Sequence, residues 1–207
     1  MGMGYPMEDQ RAAWDSFYSG NRRPWRGISD IGELPFPPGG RVLEVGCGNG
    51  KTAVALAKRG YRVTGMDFSQ KAIDICRELI LDADFVCASV LNIPFENGSF
   101  DGISAFHVLE HLTDDELSKA ADELYRVMRN GGYLLVKSFA EGDLRAGKGI
   151  AEDDNVIRGN GILYHYFTEQ ELLDELSVFQ CVSIRTVEEK TRFGGVRRRI
   201  EAVFRKA

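Results

Sequence analysis

Cysteine, histidine and proline are all sparse in this 207-residue chain, at four, three and six residues. The cysteines, Cys47, Cys76, Cys87 and Cys181, form no C-x-x-C pair and follow no regular spacing. Neither a zinc ribbon nor a disulfide framework is signalled, and reduced thiols are expected. No apolar run approaches the roughly 18 residues that a membrane helix needs, so no membrane association is expected. The start, Met1-Gly2-Met3-Gly4-Tyr5-Pro6, lacks an apolar signal core and the Ser or Thr that N-myristoylation requires at the sixth position. A cytoplasmic location is the expectation. No internal repeat or low-complexity segment is present, and Asn97-Gly98-Ser99 reads as a turn rather than a glycosylated sequon.

What the chain has is an ordinary globular composition, 43% hydrophobic and 28% charged, in a length that suits one α/β domain with a large core. The net charge of −5 argues against a general nucleic-acid binder, so no nucleic-acid partner is expected. Charge is uneven, because residues 185–207 hold eight Lys or Arg against three Glu. Arg197-Arg198-Arg199 reads as a strand whose exposed side chains are solvated, since alternation sends neighbours to opposite faces. The alternative is a surface for an acidic acceptor or partner.

Residues 8–19 read as an amphipathic helix carrying Trp14, Phe17 and Tyr18, followed by a proline- and glycine-rich loop to Gly40. Strands are expected near 42–45, 63–67, 84–88, 101–106 and 133–138, with helices at 52–59 and from Ser69 to about Leu81. Thr113-Asp114-Asp115-Glu116 is a capping box that opens a helix to about Arg129, with Gly131 as the stop. A second box, Thr168-Glu169-Gln170-Glu171, opens a helix that ends near Phe179. Residues 181–188 and 196–205 flank Phe193-Gly194-Gly195 as an antiparallel hairpin. This alternation builds a mostly parallel sheet.

The most informative segment is Val42-Leu43-Glu44-Val45-Gly46-Cys47-Gly48-Asn49-Gly50, with Asp67 closing the next apolar run. A buried strand enters a turn in which alternate glycines let the backbone approach a ligand. The spacing is Gly-x-Gly-x-Gly, whereas a dinucleotide fingerprint needs Gly-x-Gly-x-x-Gly to seat a pyrophosphate. Glu44 points the same way, since a carboxylate beside the turn repels a pyrophosphate and attracts a sulfonium or ammonium. Asp67 suits both hydroxyls of a ribose, or the dipole of the helix that follows.

This block resembles motif I of the class I S-adenosylmethionine (SAM) dependent methyltransferases, Glu-x-Gly-x-Gly-x-Gly. Four further segments fit in order: Val63 to Asp67; Asn92-Ile93-Pro94-Phe95 with Gly98-Ser99-Phe100-Asp101; Phe106-His107-Val108-Leu109-Glu110-His111; and Leu124 to Met128 with Gly131-Gly132. The likeness spans roughly residues 40–138 and is of the small-molecule, UbiE and tellurite-resistance-like type. It implies a Rossmann-like doubly wound sheet of seven strands, order 3-2-1-4-5-7-6 with strand 7 antiparallel. One domain is expected, with residues 1–39 covering the site, 40–138 holding the cofactor, and 139–207 supplying a lid loop, a helix and the hairpin.

The same resemblance implies SAM as cofactor, S-adenosylhomocysteine as product, and methyl transfer to a small-molecule acceptor. Implied cofactor-site residues are Glu44, Gly46, Cys47, Gly48, Gly50, Asp67, Phe68, Ser69, Ser89, Val90, Leu91, Phe106 and His107. Phe68 would pack on the adenine. Ser89 stands where the family often has an Asp that accepts from the adenine amino group, and the Val90 backbone would donate to the ring. His107 would lie beside the cofactor sulfur, as a general base or an orienting group, or as a structural histidine; His111 reads as structural. The run His107-x-x-Glu110-His111 also matches an inverted zinc-protease pattern, which its place directly after a strand disfavours.

Trp14, Tyr18 and Trp25 would close over the cofactor, with core packing as the alternative. Residues 139–167 are long for a simple connection and follow a strand's carboxyl end, where α/β sheets bind ligands. They read as a mobile lid, with Tyr164, His165 and Tyr166 as acceptor-facing groups. A nicotinamide oxidoreductase and a non-catalytic SAM-binding or partner-binding module are the competing classes.

Overall fold

Five strands, joined through helices except between the third and the fourth, assemble side by side, because they are largely apolar on both faces and must be covered twice. The computed structural model describes residues 7–21, 27, 29–80, 82–146, 148–152, 155–157, 160–192 and 194–207. Trp25 lies outside them. The parallel strands are β1 (Arg41–Val45), β2 (Arg62–Asp67), β3 (Asp84–Cys87), β4 (Phe100–Phe106) and β5 (Met128–Phe139). After three short strands, β6 (Ile150–Glu152), β7 (Asn155–Ile157) and β8 (Leu163–His165), come β9 (Gln180–Lys190) and β10 (Val196–Arg205). The main sheet runs β3-β2-β1-β4-β5-β10-β9, with β10 antiparallel to both neighbours. That is the expected order of seven strands; only the numbering differs, because β6, β7 and β8 form a small separate sheet.

The helices are α1 (Met7–Gly20), α2 (Lys51–Ala57), α3 (Gln70–Leu79), α4 (Asp114–Val127) and α5 (Glu169–Glu175). Local sequence sets their starts. Ser69 accepts from the Ala72 N–H, and the Thr113 and Thr168 N–H groups donate back to Glu116 and Glu171 at 3.0 and 2.6 Å. Leu43, Val45, Ile103 and Val136 bury one face of the sheet with α4, while Val42, Val63, Ala53 and Leu56 bury the other with α2.

Two helix ends and one connection differ most from expectation, α5 stopping at Glu175 rather than near Phe179. Helix α4 ends at Val127 and β5 begins at Met128, so Gly131 is not the stop. A bulge between Phe100 and Gly102 lets Met128 join the sheet early, and the Gly131 N–H donates to the Lys206 carbonyl. The stretch expected as an unstructured lid holds the antiparallel β6-β7-β8 sheet. On the hairpin, Arg198 and Arg199 pair with Glu188, Glu189 and Glu201. The pairs with Glu188 and Glu189 are exposed and contribute little, whereas Glu201 is partly buried. No helix among the described residues is long and apolar enough to cross a membrane.

Candidate functional site

The carboxyl ends of β1, β2 and β4 open into a cavity roofed by α1, the place where parallel sheets leave strand ends and helix starts uncovered. Strand β1 runs into a turn in which Gly46, Gly48 and Gly50 all have positive φ, at 65°, 54° and 76°. A side chain at Gly46 would overlap Val108, and one at Gly50 would overlap Ile80. Glycine is therefore needed twice over here, for backbone angle and for space. The turn is then tied to β2: the Gly48 N–H donates to Asp67 Oδ2 at 2.9 Å, and the Ser69 N–H to Asp67 Oδ1 at 2.9 Å.

Each Asp67 oxygen keeps a second lone pair for a ligand hydroxyl. Burial lifts this carboxyl to about 6, and the two amides pull against that rise. The group is thus charged at neutral pH and aimed into the cavity it lines.

Glu44 is placed differently from the expectation. It is buried under α2, beside Thr52 and Ala53, and does not line the cavity. Burial pushes its carboxyl up to about 8, with the Thr52 hydrogen bond opposing and the Asp67 charge adding. Burial thus disfavours its charged form in the ligand-free protein. Its Oε2 has no hydrogen-bond partner among the described residues.

Of the other site residues anticipated from sequence, Gly46, Phe68, Ser89, Val90, His107, Trp14 and Tyr18 line the cavity, and Cys47, Gly48, Gly50, Ser69, Leu91 and Phe106 do not. These six act from behind. Cys47 is in the core under α2, Ser69 caps α3, Leu91 packs on the opposite core, and Phe106 lies under the Lys137 ammonium. Ser89 Oγ accepts from the Leu91 N–H at 3.1 Å, fixing the turn after β3.

His107 is the one described non-glycine residue with positive φ, at 60°. Its N–H donates to the Lys137 carbonyl at 2.7 Å, and its ring lies 4.7 Å from that of Phe139. Nδ1 is 2.8 Å from Glu110 Oε1, and Glu110 Oε2 accepts from Ser138 Oγ at 2.9 Å. Glu110 is fully buried. Burial alone would raise its carboxyl, yet the charge and hydrogen bond of His107 hold it below the usual carboxylate range. His111 behaves as a structural group, with Nδ1 2.7 Å from the Leu163 carbonyl, although its ring also reaches the cavity wall. Among the described residues no three His, Cys, Asp or Glu are placed to hold a metal.

The roof is aromatic. Trp14 stacks on Tyr18 at 5.9 Å and meets His111 edge-on at 5.0 Å. Tyr164, His165 and Tyr166 do not line the cavity: alternation puts Tyr164 and Tyr166 on Phe139, and His165 against Phe167 on the other side. Gln10 and Glu116 also line the cavity; Gln10 carries no sequence signal, and Glu116 reads only as the end of a capping box.

Comparison with known proteins agrees with this geometry. Residues 43–136 match a family model described as a methyltransferase domain. A tRNA N(3)-methylcytidine methyltransferase from Schizosaccharomyces pombe is 31% identical over 187 residues, covering 78% of this chain and 61% of that protein. A demethylmenaquinone methyltransferase from Clavibacter sepedonicus is 31% identical over 124 residues, covering 58% and 49%. The chain thus spans about three fifths of the length of the first of these relatives. A crystal structure of a SAM-dependent methyltransferase from Methanosarcina mazei superposes with a TM-score of 0.72 at 24% identity, over 85% of this chain and 99% of that one. The tRNA relative overturns the expectation that no nucleic acid is involved. A net charge averaged over a chain does not report the surface beside one cavity.

Proposed function

From the premise that this chain belongs to the class I SAM-dependent methyltransferases, we propose that it transfers the SAM methyl group to an acceptor presented beside His107. The observation that carries the reading is the pairing of Asp67 with the glycine turn, because Asp67 is oriented by two backbone amides and still has lone pairs directed at the cavity. In this reading Asp67 takes the ribose hydroxyls, Phe68 and Val90 flank the adenine, Ser89 accepts from its amino group, and Gly46 leaves room for the methionine portion. When bound, SAM supplies an electrophilic methyl on a sulfonium. The chain's own contribution is to align the nucleophile and exclude water, which is where α1 and its aromatic side chains serve.

RNA is the acceptor class this reading favours, since the likeness to the tRNA enzyme runs over 187 residues and the likeness to the demethylmenaquinone enzyme over 124. A small-molecule acceptor is the second reading, favoured by the roof that α1 builds over the cavity. The test is transfer of labelled methyl from SAM to separated RNA, protein and metabolite fractions, beside calorimetry with SAM, S-adenosylhomocysteine and NAD. Binding of the first two and label in one fraction is the expected outcome. Heat with NAD alone would remove the reading, and binding without transfer to any fraction would leave a non-catalytic module.

A further inference from the structure

The strained residue at the cavity, His107, does not stand by itself. Its Nδ1 is held at 2.8 Å by Glu110, whose second oxygen takes the Ser138 hydroxyl at 2.9 Å. Both Glu110 and Ser138 are fully buried, whereas the His107 side chain is 40% exposed and lines the cavity. Resting on the function proposed above, we infer that Glu110 is a positioning residue that fixes the His107 tautomer, and that the acceptor carries a proton on the atom to be methylated, a hydroxyl or an N–H.

An ionised carboxylate only accepts hydrogen bonds, so Nδ1 must carry the imidazole proton when the ring is neutral. The remaining nitrogen, Nε2, then bears a lone pair and is the one left for the cavity; no described residue is bonded to it. Ser138 Oγ donates to the other oxygen of Glu110, which spreads and anchors the buried charge. The left-handed backbone at His107, φ 60°, is the kind of cost that surrounding structure must hold in place, here through the 2.7 Å bond from its N–H to Lys137. Two buried polar groups and a strained residue are more than a packing role for an imidazole requires.

The proton balance follows. As the bond from the acceptor atom to carbon forms, its bond to hydrogen breaks and the proton passes to His107 Nε2, while the pair of the carbon–sulfur bond stays on sulfur. Such a base is idle for a nucleophile that has only a lone pair, such as a carboxylate or a pyridine-type ring nitrogen like N3 of cytidine. The acceptor atom therefore differs in kind from the N(3) in the name of the tRNA relative.

The first test needs no acceptor. Nitrogen-15 NMR of the full chain, with histidine labelled and S-adenosylhomocysteine added, should show His107 at pH 8 with a protonated Nδ1 and an unprotonated Nε2. In Glu110→Gln, whose amide offers either bond, the other tautomer should become populated. A neutral wild-type ring that carries its single proton on Nε2 overturns the inference. The second test uses labelled SAM with the RNA and metabolite fractions. Glu110→Gln should bind S-adenosylhomocysteine as wild type does, and both Glu110→Gln and His107→Ala should lose about 10²–10⁴-fold in turnover at saturating SAM. Added imidazole should restore part of the His107→Ala loss, which a merely structural role would not permit. Full turnover in Glu110→Gln overturns the inference while the function stands; wild-type protein that binds but transfers to no fraction overturns both. Label on a hydroxyl or N–H group in either fraction supports the assignment, and label on a lone-pair nitrogen or a carboxylate overturns it.

Discussion

Gln10 clasps the segment around Leu163 with both ends of its amide: Oε1 accepts from the Leu163 N–H at 3.1 Å, and Nε2 donates to the Gly161 carbonyl at 3.0 Å. Helix α1 is thereby fixed to β8 across the mouth of the cavity, and its far side is fixed to α3, where Ser69 Oγ donates to Asp15 Oδ1 at 2.5 Å. The cover over the site is a helix and a small sheet, joined by this buried glutamine and by the packing of Ala13 and Trp14 against the cluster of Ile162 and Tyr164.

Gln10→Ala should loosen that cover. It removes two hydrogen bonds and leaves the Leu163 N–H buried without a partner, a loss of about 1–3 kcal/mol in local opening. Hydrogen exchange at Leu163 and Tyr164 should accelerate, and S-adenosylhomocysteine should dissociate faster with little change in its association rate. If residues 161–165 exchange as slowly as in the wild type, the clasp does not govern opening of the cover.

Asp67→Ala should weaken SAM by about 2–4 kcal/mol, the scale of losing charge-assisted bonds to two hydroxyls. Calorimetry on a variant shown by circular dichroism to be folded is the measurement. Unchanged affinity would place the ribose elsewhere.

Two buried carboxyls make the empty protein sensitive to pH in a defined direction. Burial raises Asp67 to about 6 and Glu44 to about 8, above their unfolded values of 3.8 and 4.5. A raised folded value means that the stabilising contribution is complete below the unfolded value and is lost as pH climbs to the folded one. Each group should therefore cost about 1.4 kcal/mol per pH unit inside its own window. Glu44→Gln should flatten the decline between pH 6 and 8 in melts of the ligand-free protein. A decline of the same slope in that variant would show that other groups cause it.

Gly46→Ala should be severe and partly repairable. The substitution meets both a φ of 65° and the Val108 side chain, at about 1–2 kcal/mol for the angle alone. In Gly46→Ala with Val108→Ala the overlap is relieved and the angle is not. Melting temperature and SAM affinity should recover in part, and a double variant no better than the single one would assign the whole effect to the backbone.

The parts of this protein legible in the sequence are those that short-range rules govern. The strand order followed from the motif likeness, and the two capping boxes and Ser69 announced their helices because each satisfies backbone groups within three residues of itself. Asp67 and the glycine turn were visible for the same reason. Strands β6, β7 and β8 escaped notice because three residues are too few to display alternation, and the early start of β5 depends on pairing with Phe100 and Lys206, far away in the chain.

Residue types and spacing thus determined the strands, the helix starts and the glycine turn, since those depend on propensity and on groups close in sequence, while the order of the sheet came from the motif likeness. Only the tertiary structure decided that Glu44 is buried behind the turn, that Tyr164 and Tyr166 pack on Phe139, and that Gln10 reaches Leu163. It also decided that the buried Glu110 holds His107 from below. Those outcomes are fixed by burial and by contacts between distant segments, and the energy of a charge or a hydrogen bond depends on the surroundings that only the folded chain provides.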